Sequence, residues 1–176
     1  MRTISILFIT VILLFSSCKQ KDKKVSEEKV VQPTSSFPVK PEGWVSDFER
    51  ILTQAQINYL DSMIDLHQNE TTNQIAIVTS ALDTSVIKSE EDFNNYSLSL
   101  FNEWGVGTKE KDNGVGILIS MNLKRIRIEI GKGLVTKFTN EESKKIIDSV
   151  IVPEFRKAEY FAGISKGLDA IIERIK

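Results

Sequence analysis

Three short runs rich in β-branched residues, set between stretches of helical periodicity, decide what this chain can fold into. Residues 75–78 (IAIV) and 115–120 (VGILIS) are apolar or small throughout, the pattern of strands covered on both faces. Residues 125–130 (RIRIEI) alternate, turning Ile126, Ile128 and Ile130 inward and Arg125, Arg127 and Glu129 outward. Around these runs the period changes to that of helices. Thr53 and Gln56 form a capping box ahead of Ile57, Leu60, Ile64 and His67, which share one helical face. Ser89 opens a second helix with Glu90, Glu91 and Asp92 in its first turn, where the helix dipole favours acids, and Gly105 and Gly107 end it. Thr139 and Glu142 make another capping box before Ile146, Ile147 and Val150; Pro153 restarts the chain, and Phe161, Ile164, Leu168, Ile171 and Ile175 line a last helix. The order is helix, strand, helix, strand, strand, helix, helix. It predicts an α/β domain with a mixed sheet between helices on both faces. The strand–helix–strand unit is expected to be a right-handed parallel crossover, and the strands on either side of Asn122 and Leu123 an antiparallel hairpin.

The first residues have a different character. Met1 and Arg2 precede an apolar run over residues 4–15, short of the roughly 20 residues that span a membrane. With Ser16 and Ser17 behind it, this run has the form of a secretory signal. The chain's one cysteine, Cys18, follows directly. It can be a buried thiol, a bystander near an ordinary cleavage site, or the lipid-bearing residue of a lipoprotein. Residues 14–18 (LFSSC) resemble the bacterial lipobox, with Phe15 where leucine is usual, and the third reading is adopted. Lipid on Cys18 would anchor the mature chain in the cell envelope, facing the periplasm or the exterior, because two or more acyl chains hold stably. It also leaves no cysteine for a disulfide, so the domain must stand on its hydrophobic core. Residues 19–43 are polar and hold three of the four prolines, a composition that cannot offset its own ordering entropy. The expected organisation is therefore a signal peptide over 1–17, a lipidated cysteine and tether over 18–43, and one domain over 44–176.

Composition removes several function classes. Residues 44–176 hold 16 Lys and Arg against 20 Asp and Glu, and they show no basic stripe, so a nucleic-acid partner is not expected. The single histidine, His67, falls on a core-facing helical position, and no His or Cys cluster offers a zinc site. GxSxG, HExxH and P-loop patterns are absent. Oxygen chemistry remains. The loop 105–114 (GVGTKEKDNG) joins a helix end to a buried strand; Asp112 and Asn113 bring side-chain oxygens, and Gly114 permits close backbone approach. Asp-Asn-Gly here is either a plain turn or part of a site for a hard cation, which takes six to eight oxygen ligands.

Residues 45–175 resemble the TPM domain, a family named for a thylakoid lumen protein, a photosystem II repair protein and a nematode receptor accessory protein. The likeness is carried by VSD (45–47), NQIAIVT (73–79), FNEWGVGTKEKDNGVGILIS (101–120), RIRIEIGKGL (125–134) and VPEFRKAEYFAGISKGLDAI (152–171). The resemblance implies a Rossmann-like fold and an exported or membrane-tethered accessory factor that supports another membrane or envelope protein. It also implies divalent cation binding (Ca²⁺ or Mg²⁺) in some members and acid phosphatase activity in others. Carried over position by position, it offers Asp47, Asp112, Asn113 and Glu129 as metal ligands and Gly105, Gly107 and Gly114 as loop backbone. Val135 and Thr139-Asn140 stand where the family usually has Glu and Pro-Asp, so two carboxylates are missing beside that loop. Glu141 and Glu142 fit a helix cap as well as a replacement, and Glu129 could equally pair with Arg125 or Arg127.

Overall fold

The structure, a computed structural model, describes residues 40–176. The expected signal peptide, Cys18 and nearly all of the tether lie outside the described residues. The chain divides into two units, residues 1–32 and 33–176, and the second holds everything that follows.

The elements run β1 (Val45–Asp47), α1 (Gln54–Thr71), β2 (Gln74–Thr79), α2 (Glu90–Trp104), β3 (Gly114–Ser120), β4 (Arg125–Ile130), α3 (Asn140–Ile146), α4 (Val152–Phe155) and α5 (Tyr160–Ile175). The sheet order is β1-β2-β3-β4, with β1, β2 and β3 parallel and β4 antiparallel to β3. Helices cover both faces, as expected. On one face Val45, Ile75, Ile77, Val115 and Ile117 pack with Leu60 and Ile64 of α1 and Ile164, Leu168 and Ile171 of α5. On the other, Ala76, Val78 and Leu118 pack with Phe93, Tyr96 and Leu100 of α2. The β1–α1–β2 and β2–α2–β3 crossovers therefore step the same way across the sheet on opposite faces. They have opposite hands, and only one can obey the right-handed rule.

Three capping boxes start α1, α2 and α3. Thr53, Ser89 and Thr139 each accept from the backbone N–H three residues on, and Gln56, Asp92 and Glu142 reach back to the cap. Pro153 does not restart the chain. α3 runs on through a π-helical turn (Ile147–Ile151), in which the Val152 N–H reaches back to the Ile147 carbonyl, and α4 follows without a break. The widened turn puts Pro153 in the first turn of α4, where an N–H is not required. β1 is absent from the sequence-derived order because three residues carry no readable period.

Candidate functional site

The loop 105–114 is built from its own polar groups. Gly105 caps α2 at φ +67°, and Gly107, at φ +97°, donates its N–H to Gln74 Oε1 at 2.8 Å. Asn113 is buried at 3% exposure. Its Oδ1 accepts from the Thr108 N–H at 3.0 Å and the Thr108 hydroxyl at 3.2 Å, while its Nδ2 donates to the Thr72 carbonyl at 2.8 Å and Asn73 Oδ1 at 3.3 Å. Both lone pairs and both protons of this amide are engaged, so Asn113 has nothing left for a cation. The close approach that Gly114 allows is to its own chain: a Cβ there would stand 2.2 Å from the Val106 carbonyl oxygen. Asp112 adopts φ +46° with its side chain exposed, and its backbone carbonyl accepts from the Gly133 N–H at 2.9 Å.

Asp47 stands elsewhere. It ends β1 with 7% exposure, and its Oδ2 accepts from the Leu52 N–H at 2.7 Å and its Oδ1 from the Ile51 N–H at 3.2 Å and the Thr79 hydroxyl. Thr79 in turn accepts from the Glu49 N–H at 3.1 Å, and the Glu49 carboxylate accepts from the Met121 N–H at 3.0 and 3.2 Å. This network ties the β1–α1 loop to the end of β2 and to the β3–β4 turn.

The register separates the two groups. Asp47 pairs with Thr79 and Thr79 with Ile119, whereas Gly114 pairs with Gln74 at the far end of the same strands. Five residue steps along β3 separate the two levels, roughly 16 Å at the usual strand rise. Asp47 and Asp112 would have to approach within about 6–7 Å to share one cation. Glu129, on the α2 face of β4, is held by Arg127 Nε at 2.9 Å. The four expected ligands thus do not form one coordination sphere. Glu142 is the capping-box acid: the Thr139 backbone N–H holds its carboxyl below the usual range, opposed by burial, with Arg174 at 3.4 Å assisting.

Residues 45–174 match the TPM domain family. The chain belongs to the TPM domain family. No curated protein matches it. Among solved structures, it is similar to the N-terminal domain of a P. gingivalis protein, with 25% identity, a TM-score of 0.64, and coverage of 75% of this chain and 81% of that one. The BA42 protein of the psychrophilic bacterium Bizionia argentinensis matches at 17% identity and a TM-score of 0.60, over 73% of this chain and 83% of that one. The N-terminal domain of a Corynebacterium glutamicum protein matches at 12% identity and a TM-score of 0.56, over 82% and 90%. The last two show the fold alone.

Within this TPM domain, the DNG segment is therefore a junction between loop, α1 and sheet. Among the described residues, no three His, Cys, Asp or Glu side chains gather where they could hold a metal ion. Sequence reading missed the partners that use up the expected ligands: Thr79 and Leu52 at Asp47, Thr72 and Thr108 at Asn113. It also missed Asp61, which accepts from the Val45 N–H at 2.9 Å and whose carboxyl is pushed up by burial. A second feature lies along the outer edge of β4. There a groove of about 1150 Å³ opens between the start of α2 and the α3–α4 segment.

Proposed function

We propose that this TPM domain is a lipid-anchored accessory module of the bacterial cell envelope that acts by holding another membrane or envelope protein rather than by catalysis. The anchor rests on the LFSSC sequence and on the polar tether behind Cys18. One contrast carries the rest. Asn113 of the signature loop is turned inward and spends its amide on the scaffold, while β4, at the end of the sheet order, keeps an open edge beside a large groove. Asp47, Asp112, Asn113 and Glu129 do not fit one cation, so no role is derived through Ca²⁺ or Mg²⁺. The same separation keeps Asp47 and Asp112 apart, and they are the two carboxylates from which the phosphatase reading would build its site.

The experiment is fractionation of bacteria expressing the full chain or Cys18→Ser, with a photo-crosslinking residue at position 144 on the groove wall or at position 66 on the exposed side of α1. Hydrolysis of p-nitrophenyl phosphate by the purified protein is measured in parallel. Expected are membrane retention and a discrete adduct from position 144 but not from 66, both lost with Cys18→Ser, and no hydrolysis above buffer. A full chain that stays soluble, or turnover that Asp112→Ala abolishes, would overturn the reading.

A further inference from the structure

The open edge of β4 has a definite hydrogen-bonding phase. The Gly131 N–H donates to the Gly114 carbonyl at 2.8 Å, and Val115 pairs with Ile130. In an antiparallel ladder this parity directs the backbone groups of Arg125, Arg127 and Glu129 toward β3. Those of Ile126 and Ile128 point the other way, into the groove, and no hydrogen bond to them is found among the described residues.

The walls of the groove differ in chemistry. Along β4, side chains alternate between faces. Arg125, Arg127 and Glu129 lie on the α2 side, where Arg127 holds Glu129 at 2.9 Å and Arg125 sits over the Phe93 ring at 5.9 Å; with exposed Lys124 at the end of the strand and Glu90 at the start of α2, three cations face two carboxylates and positive charge stays in excess. Ile126 and Ile128 lie on the other side, continuous with Ile147, Val152 and Phe155 of the π-turn and α4. An added strand would set alternate side chains against cations and against apolar surface.

We propose that the edge of β4 accepts an extended segment of a partner protein in which acidic residues alternate with β-branched apolar ones. The proposal rests on the reading of this domain as an interaction module and names the chemistry of the partner. Main-chain pairing with Ile126 and Ile128 supplies affinity, and the alternation supplies specificity. A second copy of this chain is a poorer occupant. Paired edge to edge, its β4 would set Lys124, Arg125 and Arg127 beside their own counterparts, like charges across one ladder, whereas a segment with acids at those positions meets no such repulsion.

The test uses ¹⁵N-labelled residues 33–176, the unit that holds all four strands and both hydrophobic clusters. The probes are two synthetic seven-residue peptides, one alternating Val and Glu and one alternating Val and Lys. Amide hydrogen exchange at Ile126 and Ile128 is expected to slow at least ten-fold with saturating Glu peptide and to be unchanged by the Lys peptide. Lys124→Glu and Arg127→Gln, made separately so that one folding failure does not end the test, are each expected to weaken binding by at least three-fold. Unaltered exchange at these two amides with millimolar Glu peptide, or equal binding of both peptides, overturns the proposal. Concentration-dependent protection of the same amides with no peptide present overturns it in favour of a second copy. If the peptide fails while the adduct from position 144 persists, the acidic strand is wrong and the interaction module stands; if both fail, the module reading falls as well.

Discussion

Asn113 Nδ2 donates to the Thr72 carbonyl at 2.8 Å, so the most conspicuous motif of the sequence grips the end of α1. Its Oδ1 serves Thr108 in the same way. Asn113→Ala removes both connections and leaves the part-buried Thr108 N–H and Thr72 carbonyl without this partner, an expected loss of about 1–3 kcal/mol. Asp112→Asn, at the exposed neighbour, keeps a residue that tolerates positive φ and removes only the charge, and it is expected to stay within about 0.5 kcal/mol of the parent. Urea unfolding of the two variants checks this. Under a cation-site reading the order would reverse, because the carboxylate would matter more than the amide. Millimolar calcium is expected to leave both midpoints where they are.

Asp47 and Thr79 form the corresponding clasp at the opposite end of the sheet. Asp47→Ala leaves the Ile51 and Leu52 N–H groups and the Thr79 hydroxyl without their acceptor. Loss of charge-assisted bonds to a buried carboxylate is expected to destabilise by about 2–4 kcal/mol. Thr79→Val is expected to be milder, about 1–2 kcal/mol. Because both act through one network, the double variant is expected to fall short of additivity by at least about 0.5 kcal/mol. Strict additivity in denaturant unfolding would show that the clasp is not a unit.

These two clasps show what was legible in the sequence and what was not. The three strands were readable because burial on two faces, or on one, leaves a run or an alternation, and the helix starts because Thr53, Ser89 and Thr139 carry their partners three residues on. β1 was hidden because a three-residue strand has no period. The assembly of Asp47 with Asp112 failed for a different reason. Asp47 lies where β1 ends and Asp112 just before β3 begins, which in a parallel sheet are opposite ends; with β1 unread, nothing in the pattern marked Asp47 as the end of a strand. Pro153 misled because a proline is a barrier only where its N–H and ring matter, and the π-turn relieves both. The edge of β4 was half legible: the alternation of Arg and Ile is plain, but its being the last strand is a fact of topology.

Gly133 holds the β4–α3 loop against the signature loop. Its N–H reaches the Asp112 carbonyl at 2.9 Å, and a Cβ there would stand 1.9 Å from the Lys111 carbonyl oxygen. Backbone cannot yield as a side-chain tip can, so Gly133→Ala is expected to destabilise by about 1–3 kcal/mol through overpacking. The displaced segment includes Asp112 and Asn113, so amide shifts should spread to Thr72 and Thr108 while Ile126 and Ile128 stay unmoved. An alanine variant of parental stability would show that the two loops part without consequence.

His67 gives the fold a dependence on pH. It is 2% exposed, and its Nε2 lies 3.2 Å from the Thr71 hydroxyl. With that hydroxyl donating to the His67 carbonyl at 2.8 Å, Nε2 is the ring nitrogen placed to donate to it, and Nδ1 is buried with no hydrogen-bond partner among the described residues. Burial lowers the imidazole pKa below its usual 6.5, Lys176 adds to the fall, and Glu70 opposes it. A folded pKa below the unfolded one means that the unfolded chain binds the proton first. Stability from this residue is therefore complete above pH 6.5 and declines as pH falls through the unfolded value, until the folded value is passed. As this is the only histidine in the chain, no other imidazole shares the window. His67→Gln, which can still donate to Thr71, is expected to flatten the fall in melting temperature between about pH 7 and 5.5, measured by circular dichroism. A slope unchanged by the substitution would assign the proton uptake to carboxylates.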